Sequence, residues 1–198
     1  PQAPPDPILG LNDAFKADKS TSKVNLGVGA YRDDRGLPHV LSCVREAERR
    51  IAASQGDHEY VPIVGEAEFC GLSARLAFGP DHAALQAGNV ATMQSLSGTG
   101  ALRLGGALLS FFGGGAPVYV PNPTWGNHVT IMQHSKLEVR QYPYYNASKP
   151  RGLDWDGMLS AVRSAPRGSV FVLHACAHNP TGIDPLPDQW RELSAVMK

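Results

Sequence analysis

Apolar positions along the 198-residue chain recur with two different periods, and their alternation predicts the architecture. Val40, Val44, Ala47 and Ile51 follow Pro38 at steps of three or four, the repeat that lines one face of an α-helix. Phe69, Leu72 and Leu76 repeat the pattern within a helix expected over residues 66–77, which Gly79-Pro80 terminates. Residues 90–96, 118–120, 137–142 and 170–173 read as strands, rich in apolar and β-branched side chains. A helix over 101–112, ended by Gly113-Gly114-Gly115, falls between the first two strands. Another, marked by Trp155, Met158, Leu159 and Val162, falls between the last two. Trp190, Leu193, Val196 and Met197 begin a further helix after Pro187. Ahead of all these stand a proline-stiffened, extended opening (Pro1 to Pro7) and a glycine-broken extended segment at 23–31. Strands alternating with helices predict an α/β fold, a mostly parallel sheet flanked by helices on both faces.

Composition narrows the function classes. With 42% hydrophobic and 18% charged residues the chain is able to build a core. Eighteen basic side chains balance eighteen acidic ones, so no net field favours nucleic acid or an anionic membrane. No apolar run approaches the roughly 18 residues of a membrane span. Cys43, Cys70 and Cys176 are an odd number without CxxC spacing. That argues against a disulfide framework or a zinc site and for a reducing compartment. No signal peptide is recognised. The last helix reaches Lys198 without a glycine cap, and the expectation is therefore a fragment of a larger domain.

Three segments carry candidate chemistry. Ser97-Gly98-Thr99-Gly100 lies between a predicted strand and helix, where backbone N–H groups and the helix dipole converge on an anion. It reads either as a phosphate cradle or as a tight turn that binds nothing. A dinucleotide fingerprint is disfavoured, because Arg103 stands where the third glycine of GxGxxG belongs. Trp125, in a Pro-Thr-Trp-Gly loop after a strand, is placed either to stack on a planar ring or to serve as an ordinary core tryptophan. His128 would tune a neighbouring acid or cap that loop. Asn179-Pro180-Thr181-Gly182 follows another buried strand, and its carboxamide is suited to a phenolic oxygen or a carboxylate. A cis bond before Pro123 or Pro180 would suit such turns. His174 and His178 lack a third metal ligand and read as hydrogen-bonded core histidines rather than a metal pair.

Taken together these segments resemble the animal-type aspartate aminotransferases of the pyridoxal-phosphate aminotransferase superfamily. Residues 24–32, His58-Glu59-Tyr60, Gln94 through Arg103 and His174 through Gly182 sit in that family's order, and the likeness runs over essentially the whole chain. Pro5 through Gly10, Tyr31 through Asp34 and Thr124 through His128 look more like the mitochondrial than the cytosolic form. The resemblance implies a homodimer that binds pyridoxal 5'-phosphate and moves an amino group between L-aspartate and 2-oxoglutarate, giving oxaloacetate and L-glutamate. It implies a mitochondrial matrix location, otherwise a cytoplasmic one. It implies that Ser97, Gly98 and Thr99 hold the cofactor phosphate, and that Tyr60 reaches the phosphate bound by the partner subunit. Trp125 would stack on the ring, Asn179 would bond its phenolic oxygen and the substrate, and His128 would sit beneath it. Gly29 would meet the substrate carboxylate through its backbone. Residues 1–10 would form an arm, 11–37 part of the small domain, and 38–198 the first part of the large domain. The chain would then be the N-terminal half. None of Lys16, Lys19, Lys23, Lys136, Lys149 and Lys198 stands in the family's motif for the Schiff-base lysine. The half alone is therefore expected to be inactive. The alternative is a short non-catalytic chain that acts as a phosphate-binding or dimer-interaction module.

Overall fold

The computed structural model describes residues 7–27, 29–148 and 150–198, with side chains from residue 10 onward. The chain divides into two compact units, Pro1–Tyr60 and Val61–Lys198.

In the first unit helix α1 (Pro7–Ala17) starts at the last proline of the opening that was expected to be extended. Proline suits a first helical turn, where its missing N–H has no intrahelical partner to lose. Residues 1–6 of that opening lie outside the described residues, as do Val28 and Lys149. The described residues of the segment at 23–31, expected to be extended, pair in no ladder. The Lys23 ammonium donates to the carbonyls of Phe15 and Asp18 at the end of α1, where unpaired carbonyls and the helix dipole favour a cation. Helix α2 (Ser42–Ser54) has the expected periodicity but starts after Val40, and it buries no residue. Its surface is laced by Glu46 with Arg49 and Arg50, and by Arg45 with Glu48. Exposed pairs of this kind contribute tenths of a kcal/mol.

The second unit opens with helix α3 (Ala67–Phe78). Glu66, expected as its first residue, is instead its cap, and its carboxylate accepts from the Phe69 N–H. Glu66→Ala is expected to destabilise the fold, read as a lower denaturation midpoint at unchanged m-value, with recovery in Glu66→Asp. The predicted apolar face of α3 is reversed. Phe69, Leu72 and Leu76 are exposed, whereas Cys70 and Ala74 are buried. After the short helix α4 (Ala83–Gln86), residues 90–96 are irregular, not the expected strand. A strand is held by a neighbouring ladder, and here one backbone bond, Gln94 N–H to Val64 O at 2.9 Å, ties the segment to the chain before α3. Gly65 allows this approach. Its φ is +100°, and a Cβ there would lie 2.2 Å from Gln94 Cβ.

Helix α5 (Ser97–Phe112) begins four residues earlier than predicted, so Ser-Gly-Thr-Gly is its first turn. Strand β1 (Val118–Asn122) follows, then helix α6 (Gly126–His134), which the polar pattern of its sequence concealed. Strand β2 (Val139–Pro143) leads into an unanticipated hairpin, β3 (Tyr145–Asn146) with β4 (Gly152–Leu153). Helix α7 (Trp155–Ser164), capped by Asp154, precedes strand β5 (Val170–Phe171) and helix α8 (Pro187–Val196).

Among the described residues β1, β2 and β5 form one parallel sheet in the order β2-β1-β5, with Val118 opposite both Val139 and Val170. The fold is thus α/β with a parallel sheet flanked by helices. Central β1 is buried on both faces: Val118 and Val120 have no exposed surface, and Tyr119 alternates to the other side. There Tyr119, Tyr142, Tyr144, Met158, Leu159 and Leu193 join in one core beneath α7 and α8. The chain leaves β1 for β2 on one side and returns to β5 on the other, so the connection reverses at β1. Open parallel sheets bind ligands outside the carboxyl ends of strands at such a reversal. No described helix is long and apolar enough to cross a membrane.

Candidate active site

Three elements converge at the carboxyl edge of the sheet. The first turn of α5 supplies Ser97, Gly98 and Thr99, all exposed. The N–H groups of Gly98 and Thr99 have no intrahelical acceptors, whereas those of Ser97 and Gly100 bond the Ser95 and Leu96 carbonyls, and Leu96, at the cap position, offers no side-chain bond. Ser97 itself holds a left-handed backbone, φ +58°, a conformation of modest strain that recurs at binding sites. The second element is the turn after β1, where half-buried Trp125 precedes α6 and buried His128 lies in its first turn. These residues and Met132 line one cleft of about 780 Å³.

The third element is the loop after β5. The Asn179 N–H donates to His174 Nδ1 at 3.0 Å. With that nitrogen accepting, a neutral His174 carries its proton on Nε2, a buried atom with no protein partner. His174 packs edge-on against His128, ring centres 5.0 Å apart, and His128 packs edge-on against Trp125 at 5.3 Å. The His128 Nδ1 pairs with Thr124 Oγ1 at 2.8 Å. A column of aromatic contacts therefore links Asn179, through His174 and His128, to the indole. The peptide bonds before Pro123 and Pro180 are both cis.

Electrostatics keep this column neutral. Burial first, and then the neighbouring His174, lower the His128 pKa. Burial also lowers that of His174. His178 is pushed down to about 4, chiefly by burial and by His174, with Asp184 opposing. Its ring stacks on Tyr144 at 3.7 Å and on His174 at 4.2 Å. The Asp184 carboxylate accepts the N–H groups of Ala177 at 2.7 Å and His178 at 2.9 Å, and these amides hold it below its usual range. His174 and His178 are thus hydrogen-bonded, partly or wholly buried histidines, in a loop rather than on a strand.

Ser97, Gly98, Thr99, Trp125 and His128 share the cleft, and Asn179 joins them through His174. Gly29 and Tyr60 belong to the first unit, where both are exposed, Tyr60 at 97%. Sequence reasoning assigned no role to Thr124, Tyr144 or Asp184. Asp184, five residues beyond Asn179, had the sole local signal, a carboxylate closing a glycine-containing turn.

The model of the family described as aminotransferase class I and II matches residues 21–198. The mitochondrial aspartate aminotransferase of Dictyostelium discoideum is 48% identical over 197 residues, covering 100% of this chain and 46% of the relative. That of Xenopus tropicalis is 50% identical over 196 residues, covering 98% and 46%. The structure of the cytoplasmic aspartate aminotransferase of Saccharomyces cerevisiae superposes with a TM-score of 0.89 at 41% identity, over 100% of this chain and 48% of that one. An aromatic-amino-acid aminotransferase from Burkholderia pseudomallei, covalently bound to pyridoxal phosphate, gives 0.92 at 42% identity, over 99% and 49%. The chain spans about half the length of the curated relatives it matches. With a family match along nearly its whole length, a parallel sheet of the same topology and a cleft at the expected edge, the chain belongs to the class I and II aminotransferases.

Proposed function

We propose that the protein containing this chain is a pyridoxal-phosphate-dependent aspartate aminotransferase, moving the amino group of L-aspartate to 2-oxoglutarate and releasing oxaloacetate and L-glutamate. The observation that carries this reading is one cleft holding an uncapped helix N-terminus with two hydroxyls beside an indole and a neutral histidine. That donor set fits a phosphorylated planar heterocycle. Hydroxyls and amides suit the dianion, and a flat apolar face suits the ring. When bound, pyridoxal phosphate supplies an aldehyde and an electron-withdrawing ring.

In this reading Ser97, Gly98 and Thr99 hold the phosphate, and Trp125 covers the ring and narrows access for water. Asn179, its peptide held by His174, presents a carboxamide to the ring oxygen and the substrate. His128 lies beneath the ring as a neutral imidazole, so it adds no competing positive charge. Gly29 contributes a backbone contact to the substrate carboxylate, and Tyr60 contacts the phosphate bound by the partner of a homodimer. Residues 1–10 act as an arm, 11–37 as part of the small domain and 38–198 as part of the large one. The lysine that carries the cofactor covalently comes from outside these 198 residues, which do not transaminate alone. A mitochondrial matrix location follows the named relatives.

The test uses the full-length gene product. Borohydride reduction with pyridoxal phosphate should add one pyridoxyl mass, and aspartate with 2-oxoglutarate should yield equal oxaloacetate and glutamate. Absence of the adduct would overturn the cofactor assignment. An intact adduct with turnover of other amino acids but not aspartate would overturn the substrate.

A further inference from the structure

Arg103 and Gly106, on α5 beyond the proposed cradle, have no part in the reading above, yet both reach the same residue of α6. Ser135, at the end of α6, is 3% exposed. Its hydroxyl donates to the Ile131 carbonyl at 2.8 Å and accepts from the Arg103 guanidinium at 2.8 Å. Gly106 is buried against it. A Cβ at Gly106 would lie 2.4 Å from Ser135 Oγ, 3.0 Å from Ser135 Cβ and 3.5 Å from Met132 Sδ. Met132 also lines the cleft, so this seam and the site share a side chain.

The two helices enter the cleft by their N-termini, α5 with Ser97 to Thr99 and α6 with Trp125 and His128. The seam lies toward their other ends. Thr99 stands seven residues before Gly106, about 10 Å along the axis. A tilt of about 6° at the seam thus displaces the first turn by about 1 Å, enough to stretch a hydrogen bond beyond its useful range. Given the proposed cofactor, on which this step rests, we infer that Gly106, Ser135 and Arg103 are positioning residues. Their close contact sets the spacing between the phosphate cradle of α5 and the ring platform of α6.

The test measures dissociation constants of full-length protein for pyridoxal 5'-phosphate and for pyridoxal, which lacks the phosphate. Their ratio isolates the cradle, because contributions from the ring platform and the covalent bond cancel. Gly106→Ala is expected to shrink the ratio about tenfold through weaker pyridoxal-phosphate binding, with pyridoxal affinity unchanged. Gly106→Ala/Ser135→Ala removes the hydroxyl that the new methyl strikes and is expected to recover part of the ratio, because Ser135 Cβ stays 3.0 Å away and the Arg103 bond is lost. Equal losses for both ligands, or an unchanged ratio, would overturn the inference. Should Gly106→Ala fail to fold, Ser135→Ala alone decides: loss of the Arg103 bond is expected to lower the ratio with pyridoxal affinity unchanged, and a wild-type ratio would overturn the inference. If the wild-type protein binds neither ligand, the cofactor reading itself fails, which is a distinct result.

Discussion

Replacing Ser97 and Thr99 together by alanine in the full-length protein is expected to weaken pyridoxal-phosphate binding by about a thousandfold. Each hydroxyl would donate to a charged oxygen, a bond worth about 1.5–3 kcal/mol when the acceptor is ionised. Two such bonds give about 3–6 kcal/mol, or a factor of roughly 10² to 10⁴. Binding should weaken without vanishing, because the amides of Gly98 and Thr99 and the dipole of α5 survive the change. Alanine at position 97 inherits the left-handed backbone of Ser97, φ +58°. A companion Ser97→Gly/Thr99→Ala variant therefore separates backbone strain from the lost donors. Equilibrium titration by cofactor absorbance reads the effect directly. A loss below about threefold, or an equal loss for pyridoxal, would show that the first turn of α5 does not hold the phosphate.

Acidification is expected to remove about 2 kcal/mol of stability between pH 7.5 and 5 through His178 alone, approaching about 3 kcal/mol near pH 4. The sign follows from the shift. The folded-state value is pushed down to about 4 from an ordinary 6.5, so the unfolded chain binds a proton first. The stabilising contribution is complete above pH 6.5 and is lost as pH falls through the folded value. The groups around the ring are His174, stacked on it, Tyr144 on its other contact, Asp184 at its backbone, and His128 beyond His174. Asp184 moderates the effect and burial dominates it. The ring is 1% exposed, so little solvent is present to screen a charge there. Urea unfolding of wild type and His178→Gln at both pH values measures the difference. The variant should lose less stability on acidification than wild type, by about the stated amount. Parallel losses would mean that His178 does not carry the acid sensitivity.

The strands near 118–120, 137–142 and 170–173, and the helices after Asp154 and Pro187, were legible from apolar and β-branched content and from helical repeats, although only β1 is buried along most of its length and β5 ends at Phe171. The same rule misled at the margins. Phe69, Leu72 and Leu76 mark a helix whose apolar face stays exposed among the described residues, and residues 90–96 have strand composition without a strand beside them. Helix α6 was hidden because Gly126, Thr130 and four further polar side chains leave too weak a repeat. Of the site, the residue types and their order along the chain were legible, since small, hydroxyl, aromatic and carboxamide groups follow strand ends in the sequence itself.

What the sequence determined alone is therefore the α/β class, the three candidate segments and the family likeness, all properties of local pattern and order. Tertiary structure decided which segments share a cleft, that His174 and His128 bridge Asn179 to Trp125, and that Ser135 receives both Arg103 and Gly106. The contacts of His128 with His174 and of Ser135 with Arg103 and Gly106 join residues more than twenty positions apart on separate elements. Their geometry depends on how strands pair and helices pack, information that no local period along the chain contains.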